Sequence, residues 1–197
     1  MVAKETFIRK GYVNTTMDEI AQQAGVGKGS IYYYFKTKDD LYLSLMIPVL
    51  AALNKSLERF RKRLIDKKCQ DYEDFVMGFY RHYRDVYKSD ADGVRIIQKF
   101  QLGDFWVQMS EKHRAEFNRY TKNNFEIARD IISMAMDLKL IPKANPVILS
   151  DWFWSTFIGI VQFEESKFRN TKKDYILSTL KEAFLLISRA LRPNEEK

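Results

Sequence analysis

The stretch "AGVGKGSIYYYF", residues 24–35, sets three glycines within five residues around Lys28 and follows them with three tyrosines. Glycines around a lysine suggest a phosphate-binding loop, and tyrosines beside lysines suggest a DNA-contacting helix. A dinucleotide or nucleotide-phosphate loop needs a β-strand before its glycines, so that backbone amides emerge at a strand-to-helix turn. The preceding "MDEIAQQA" (17–24) alternates with a helical period, and the G-x-x-x-x-G-K-[ST] spacing is absent. A helix-turn-helix accounts for each position instead. Ala21 leaves room for a second helix to approach, and Gly25 supplies a positive φ at the turn. Ile31 packs back against Ile20 and Ala24, and Gly27 and Gly29 let the second helix come close to DNA. Such a helix fits a major groove about 12 Å wide.

Working outward, the chain is helical throughout, which predicts an all-α fold. There are only 8 Gly and 4 Pro in 197 residues, too few for a strand-and-turn architecture. The spacing predicts about nine helices: 2–10, a segment opened by a capping Thr and closed by Gly25, 30–35, 37–66, 71–88, 91–103, 110–138, 146–167 and 172–191. Pro48 falls inside the apolar stripe of the fourth and predicts a kink. Asn145 and Pro146 mark the start of the eighth. Residues 1–45 form a predicted DNA-binding domain, and 46–197 a larger helical domain.

The net charge of +7 suits a polyanionic partner. Residues 1–44 hold only one positive charge of that excess, however, while 55–68 carry seven basic and two acidic residues. That run is expected to be the solvated face of the fourth helix. Cys69 is the sole cysteine, which excludes an intrachain disulfide or a cysteine zinc site and suits a reducing cytoplasm. No signal-peptide pattern is present, and a cytoplasmic location without membrane association is expected. His82 and His113 have no repeated metal spacing, and neither Ser30 nor Cys69 has a sequence-evident catalytic partner, so no enzyme, metal or cofactor is predicted.

Residues 3–43 resemble the DNA-binding domain of TetR/AcrR-family transcriptional regulators. The matching features are the aromatic-x-x-x-Gly-Tyr from Phe7 to Tyr12, the Thr-Thr before the second helix, Ile-Ala-x-x-Ala-Gly-Val, and Tyr-Tyr-x-Phe-x-x-Lys. The resemblance covers about a fifth of the chain and implies a ligand-released repressor. It implies that Lys28, Gly29 and Ser30 touch bases or nearby phosphates and that Tyr32 and Tyr33 contact phosphate and bases. Thr16, Met17 and Lys38 match phosphate-contacting positions. Tyr34 stands where the family often has histidine, and its phenol can donate to phosphate. The sequence starts near the middle of the family's first helix, so the basic arm that often adds phosphate contacts there is expected to be missing from it, at a cost in DNA affinity.

The resemblance further implies a homodimer on a palindromic duplex operator, built by the last two helices; Gly159, Phe163, Leu180, Phe184, Ile187 and Leu191 are the predicted interface. The middle helices are dense in large side chains, which suggests an apolar cavity for a small apolar or aromatic effector. Its predicted lining is Tyr80, Tyr83, Phe100, Trp106, Met109, Phe117, Phe125, Trp152, Phe153 and Phe157. The competing classes are a small-molecule binding protein and a constitutive DNA-architectural protein without effector response.

Overall fold

Helix boundaries follow local side-chain chemistry. The computed structural model describes residues 2–103 and 109–193, and among them there are nine α-helices and no strand. They are α1 (Val2–Lys10), α2 (Met17–Gln23), α3 (Lys28–Tyr34), α4 (Lys38–Ile65) and α5 (Tyr72–Ser89), then α6 (Ala91–Leu102), α7 (Glu111–Asp137), α8 (Pro146–Thr171) and α9 (Ile176–Ala190). The Thr16 hydroxyl accepts from the Glu19 amide at 3.2 Å and starts α2. Asp90 does the same for α6 at Gly93, and Asn145 caps α8 with Pro146 in its first turn. Gly11 (φ 79°) and Gly25 (φ 67°) take left-handed conformations that end α1 and follow α2. Helix α8 runs past its predicted end to Thr171, where Lys172 adopts φ 58° and closes it. Helix α4 is unbroken through Pro48. By length and composition it is apolar enough to cross a membrane, and half of that apolar stretch is buried inside the chain.

The chain divides into two compact units, Met1–Ala52 with Ser89–Lys122, and Leu53–Lys88 with Asn123–Lys197. Helices α4 and α7 each contribute to both. In the first unit, Phe7 and Tyr12 meet the Tyr42 ring edge-on at 4.8 and 5.1 Å. The Tyr42 hydroxyl donates to the Ile96 carbonyl at 3.3 Å. Each such fully buried side chain contributes about 1.5–3 kcal/mol of transfer free energy. Thus α6, whose Ile96 lies 54 positions after Tyr42, is part of the core that holds the helix-turn-helix.

The second unit is built on rings. Phe79 lies 4.5 Å from Phe153, and Tyr83 stacks on Phe157 at 4.7 Å and 10°. Phe184 of α9 closes this cluster, 5.7 Å from Phe153 and 5.9 Å from Tyr83. This corrects the predicted interface. Leu180, Phe184, Ile187 and Leu191 are buried within their own chain, because the apolar face of α9 covers the rings of α5 and α8. Gly159 and Phe163 are exposed, along with Ile148, Trp152 and Leu186, which the α9 periodicity did not single out.

The predicted cavity lining is likewise divided. Phe100, Met109 and Phe117 are buried in the first unit, with Phe100 and Phe117 4.4 Å apart. Tyr80, Tyr83, Phe153 and Phe157 are buried in the second, and Phe125 is half-buried there. Trp152 is 44 % exposed and belongs to the outer face of α8, not to the interior. Trp106 lies outside the described residues.

Candidate nucleic-acid interface

Helix α3 has seven residues and buries Ile31 alone. Ile20, Ala21 and Ile31 supply the apolar seam of the α2–α3 pair, while Ala24 is exposed. Because one residue anchors it, the rest of α3 faces outward. Lys28, Gly29 and Ser30 are exposed, Tyr32 is half-buried, and Tyr33 and Tyr34 are 74 % and 75 % exposed. Large aromatics this exposed bury nothing for the fold and are free to contact a partner. The two rings meet edge-on at 5.2 Å, and the Lys36 ammonium lies 5.8 Å from the Tyr33 ring centre. Gly27 starts α3 in extended geometry with no side-chain cap.

The predicted basic contacts separate into two kinds. Lys28 is an exposed cation paired with exposed Asp18 at 2.6 Å, and it lies 5.9 Å from the Tyr32 ring centre. The hydrogen bond to Asp18 raises its pKa above the ordinary lysine value, so it is charged at neutral pH. A phosphate can replace so solvated a partner at little cost. Lys38 is different. Its ammonium donates to the carbonyls of Tyr12, Thr15 and Val13 at 2.8, 3.1 and 3.4 Å, and partial burial lowers its pKa. Lys38 therefore caps the end of the α1–α2 connection instead of standing free for phosphate. The Met17 side chain is buried, which leaves only its backbone to face a duplex, and the exposed Thr16 hydroxyl is engaged at its own helix cap.

A polar relay beside α3 was not identified from sequence. Asp39 accepts from the Tyr12 hydroxyl and, at 2.9 Å, from the Ser110 amide. Asp40 accepts from the Thr37 amide and hydroxyl, both at 2.9 Å, and pairs with His113 Nε2 at 2.7 Å. Ser110 Oγ lies 2.5 Å from His113 Nδ1. Burial would raise the Asp40 pKa, but the hydrogen bonds from His113 and Thr37 outweigh it and hold the carboxyl below its ordinary range. Thr37-x-x-Asp40 is a capping box legible in sequence. Its partner His113, 73 positions away, is not. Among the described residues no cluster of His, Cys, Asp and Glu could hold a metal ion.

Comparison with known proteins agrees with this geometry. The family model for bacterial regulatory proteins of the tetR family matches residues 2–45. The transcriptional regulator QacR of Staphylococcus aureus is 49 % identical over 45 residues, 23 % of this chain and 24 % of its own. The fatty acid metabolism regulator protein of Bacillus subtilis is 46 % identical over 110 residues, 56 % of this chain and 54 % of its own. The chain therefore spans about a quarter to a half of these relatives. The solved structure of the regulator FadR from Bacillus subtilis, in complex with stearoyl-CoA, shares the fold along nearly the whole chain. Its TM-score is 0.67 at 20 % identity, over 95 % of this chain and 94 % of that one. The exposed helix α3 and the sequence match therefore agree over residues 2–45, where this chain is similar to bacterial regulatory proteins of the tetR family.

Proposed function

We propose that the chain is a homodimeric repressor that binds a palindromic duplex operator through α3 and is released by an effector carrying a long apolar chain. The observation that carries the proposal is the exposure of Tyr33 and Tyr34 on a helix anchored only by Ile31. Lys28, Gly29 and Ser30 enter the groove first, and Tyr32, Tyr33 and Tyr34 meet bases and the flanking phosphates. The exposed apolar stripe Ile148, Trp152 and Phe163 on α8, with Leu186 on α9, supports a second copy as its cover, since an isologous dimer repeats one patch twice. Two recognition helices then face half-sites one helical turn apart.

The effector is of the fatty-acyl thioester class. The ring-rich cores of both units suit an apolar chain, and the FadR structure with stearoyl-CoA supports that choice. Binding that favours one helix arrangement over another shifts the equilibrium away from the operator-competent state. Repression in the cytoplasm is what such a release would relieve.

Enrichment of a random duplex pool on the full chain tests the proposal. A single palindromic sequence, bound with steep salt dependence and released by micromolar palmitoyl-CoA, is the expected result. Equal retention of all sequences would make the protein architectural, and retention unaffected by acyl thioesters would remove the effector assignment.

A further inference from the structure

The first unit presents one groove beside the recognition helix that the helix-turn-helix does not account for. It encloses about 320 Å³ and is lined by Tyr34, Lys36, Ser44, Lys112, His113 and Glu116 among others. One wall is the end of α3 and the start of α4. The opposite wall is the first turn of α7, some 70 residues later in the chain and outside the segment that the family model matches.

That first turn is fixed in place. The Ser110 amide donates to Asp39 at 2.9 Å, and His113 Nε2 meets Asp40 Oδ1 at 2.7 Å. Two adjacent carboxylates of α4 thus hold Ser110, just before α7, and His113 in its first turn, and Lys112 lies between these two residues in sequence. Lys112 and Lys36 are exposed, and among the described residues neither has an acidic partner. Of the two acids lining the groove, Asp40 is already satisfied by His113 and Thr37. Glu116 is the remaining negative charge. Tyr34 lines the groove, and it and its neighbour Tyr33 are the most exposed large hydrophobic side chains among the described residues.

We propose that the first turn of α7 is part of the operator-binding surface, with Lys112 donating to a backbone phosphate that passes over the groove between it and Lys36. This rests on the duplex-binding proposal above. Lys112 adds affinity without base specificity, because phosphate contacts position the protein and carry no sequence information. The Ser110 and His113 contacts are positioning interactions: they hold Lys112 near the strand that α3 approaches. Glu116 opposes the phosphate, so the two side chains carry opposite signs of effect.

The test uses the full chain and the palindrome it enriches, with affinity measured from 50 to 300 mM salt. Lys112→Ala should weaken binding about fivefold per protomer near 0.15 M salt and flatten the log–log salt slope by about 0.9 per protomer. Lys112→Arg should restore both, and Glu116→Gln should tighten binding. Relative preference among operator variants should not change. If Lys112→Ala binds with the wild-type slope, or loses affinity with the slope intact, Lys112 makes no phosphate contact and the proposal is overturned. If the wild-type chain enriches no duplex at all, the duplex-binding proposal itself falls and this one with it.

Discussion

Lys38 donates to the carbonyl of Tyr12 at 2.8 Å, and its ammonium sits 4.3 Å from the centre of the Tyr12 ring. A residue expected to hold DNA is therefore holding the helix-turn-helix together. Lys38→Ala leaves the carbonyls of Tyr12, Val13 and Thr15 without this donor. Urea unfolding should show a loss of about 1–3 kcal/mol, the cost of stranding partly buried acceptors. Lys28→Ala, at a fully solvated ion pair, should leave the unfolding midpoint where it is in the wild type while weakening duplex binding. Equal stability of the two variants would show that the carbonyl contacts contribute nothing.

Phe163 and Phe184 share a chemistry and differ in environment, 66 % against 0 % exposed. Phe163→Asp should dissociate the proposed dimer and abolish palindrome binding, with the monomer's helical content intact by circular dichroism. Phe184→Ala should instead cost about 3–5 kcal/mol of fold stability. Sedimentation velocity decides the first and chemical denaturation the second. A Phe163→Asp chain that still sediments as the wild type would place the partner surface elsewhere.

His82 is buried, with Nδ1 unpartnered, and desolvation together with the nearby Arg59 charge lowers its pKa to about 3. A depressed histidine stabilises the fold above the unfolded value near 6.5, and that contribution is lost as pH falls toward the folded value, because the unfolded chain takes up the proton first. Stability should fall by about 2 kcal/mol between pH 7 and pH 5 from this group alone. His82→Phe should remove that slope. A wild-type stability flat over the same interval would mean that the folded chain accommodates the charged imidazole.

Gly78 lies in the interior of α5 directly against the Phe60 ring, where a β-carbon would overlap ring atoms. Alanine in a helix interior usually gains about 1 kcal/mol over glycine. At this position overpacking of about 1–3 kcal/mol should reverse the sign. Gly78→Ala is expected to lower the melting temperature, and Phe60→Leu in the same chain to recover part of the loss. A stabilised Gly78→Ala would show that the Phe60 ring can step aside.

What the sequence by itself determined is local. Thr16, Asn145, Gly11 and Gly25 act on neighbours within one helical turn, so the helices and the helix-turn-helix geometry were legible from spacing. The resemblance placed Tyr32 and Tyr33 at the duplex, and it is the structure that exposes Tyr33 and Tyr34 on a seven-residue helix with one apolar anchor. Tertiary structure decided which of several equally apolar faces is covered. The α9 stripe at 180, 184, 187 and 191 has the periodicity of any buried face, and periodicity does not distinguish the same chain from a second copy. Only the rings of Tyr83 and Phe153 against Phe184 show that the chain covers it itself. The role of Lys38 and the Asp40–His113 pair were hidden for the same reason. A hydrogen bond between residues far apart leaves no spacing in the sequence, and its partner is chosen by where the helices come to rest.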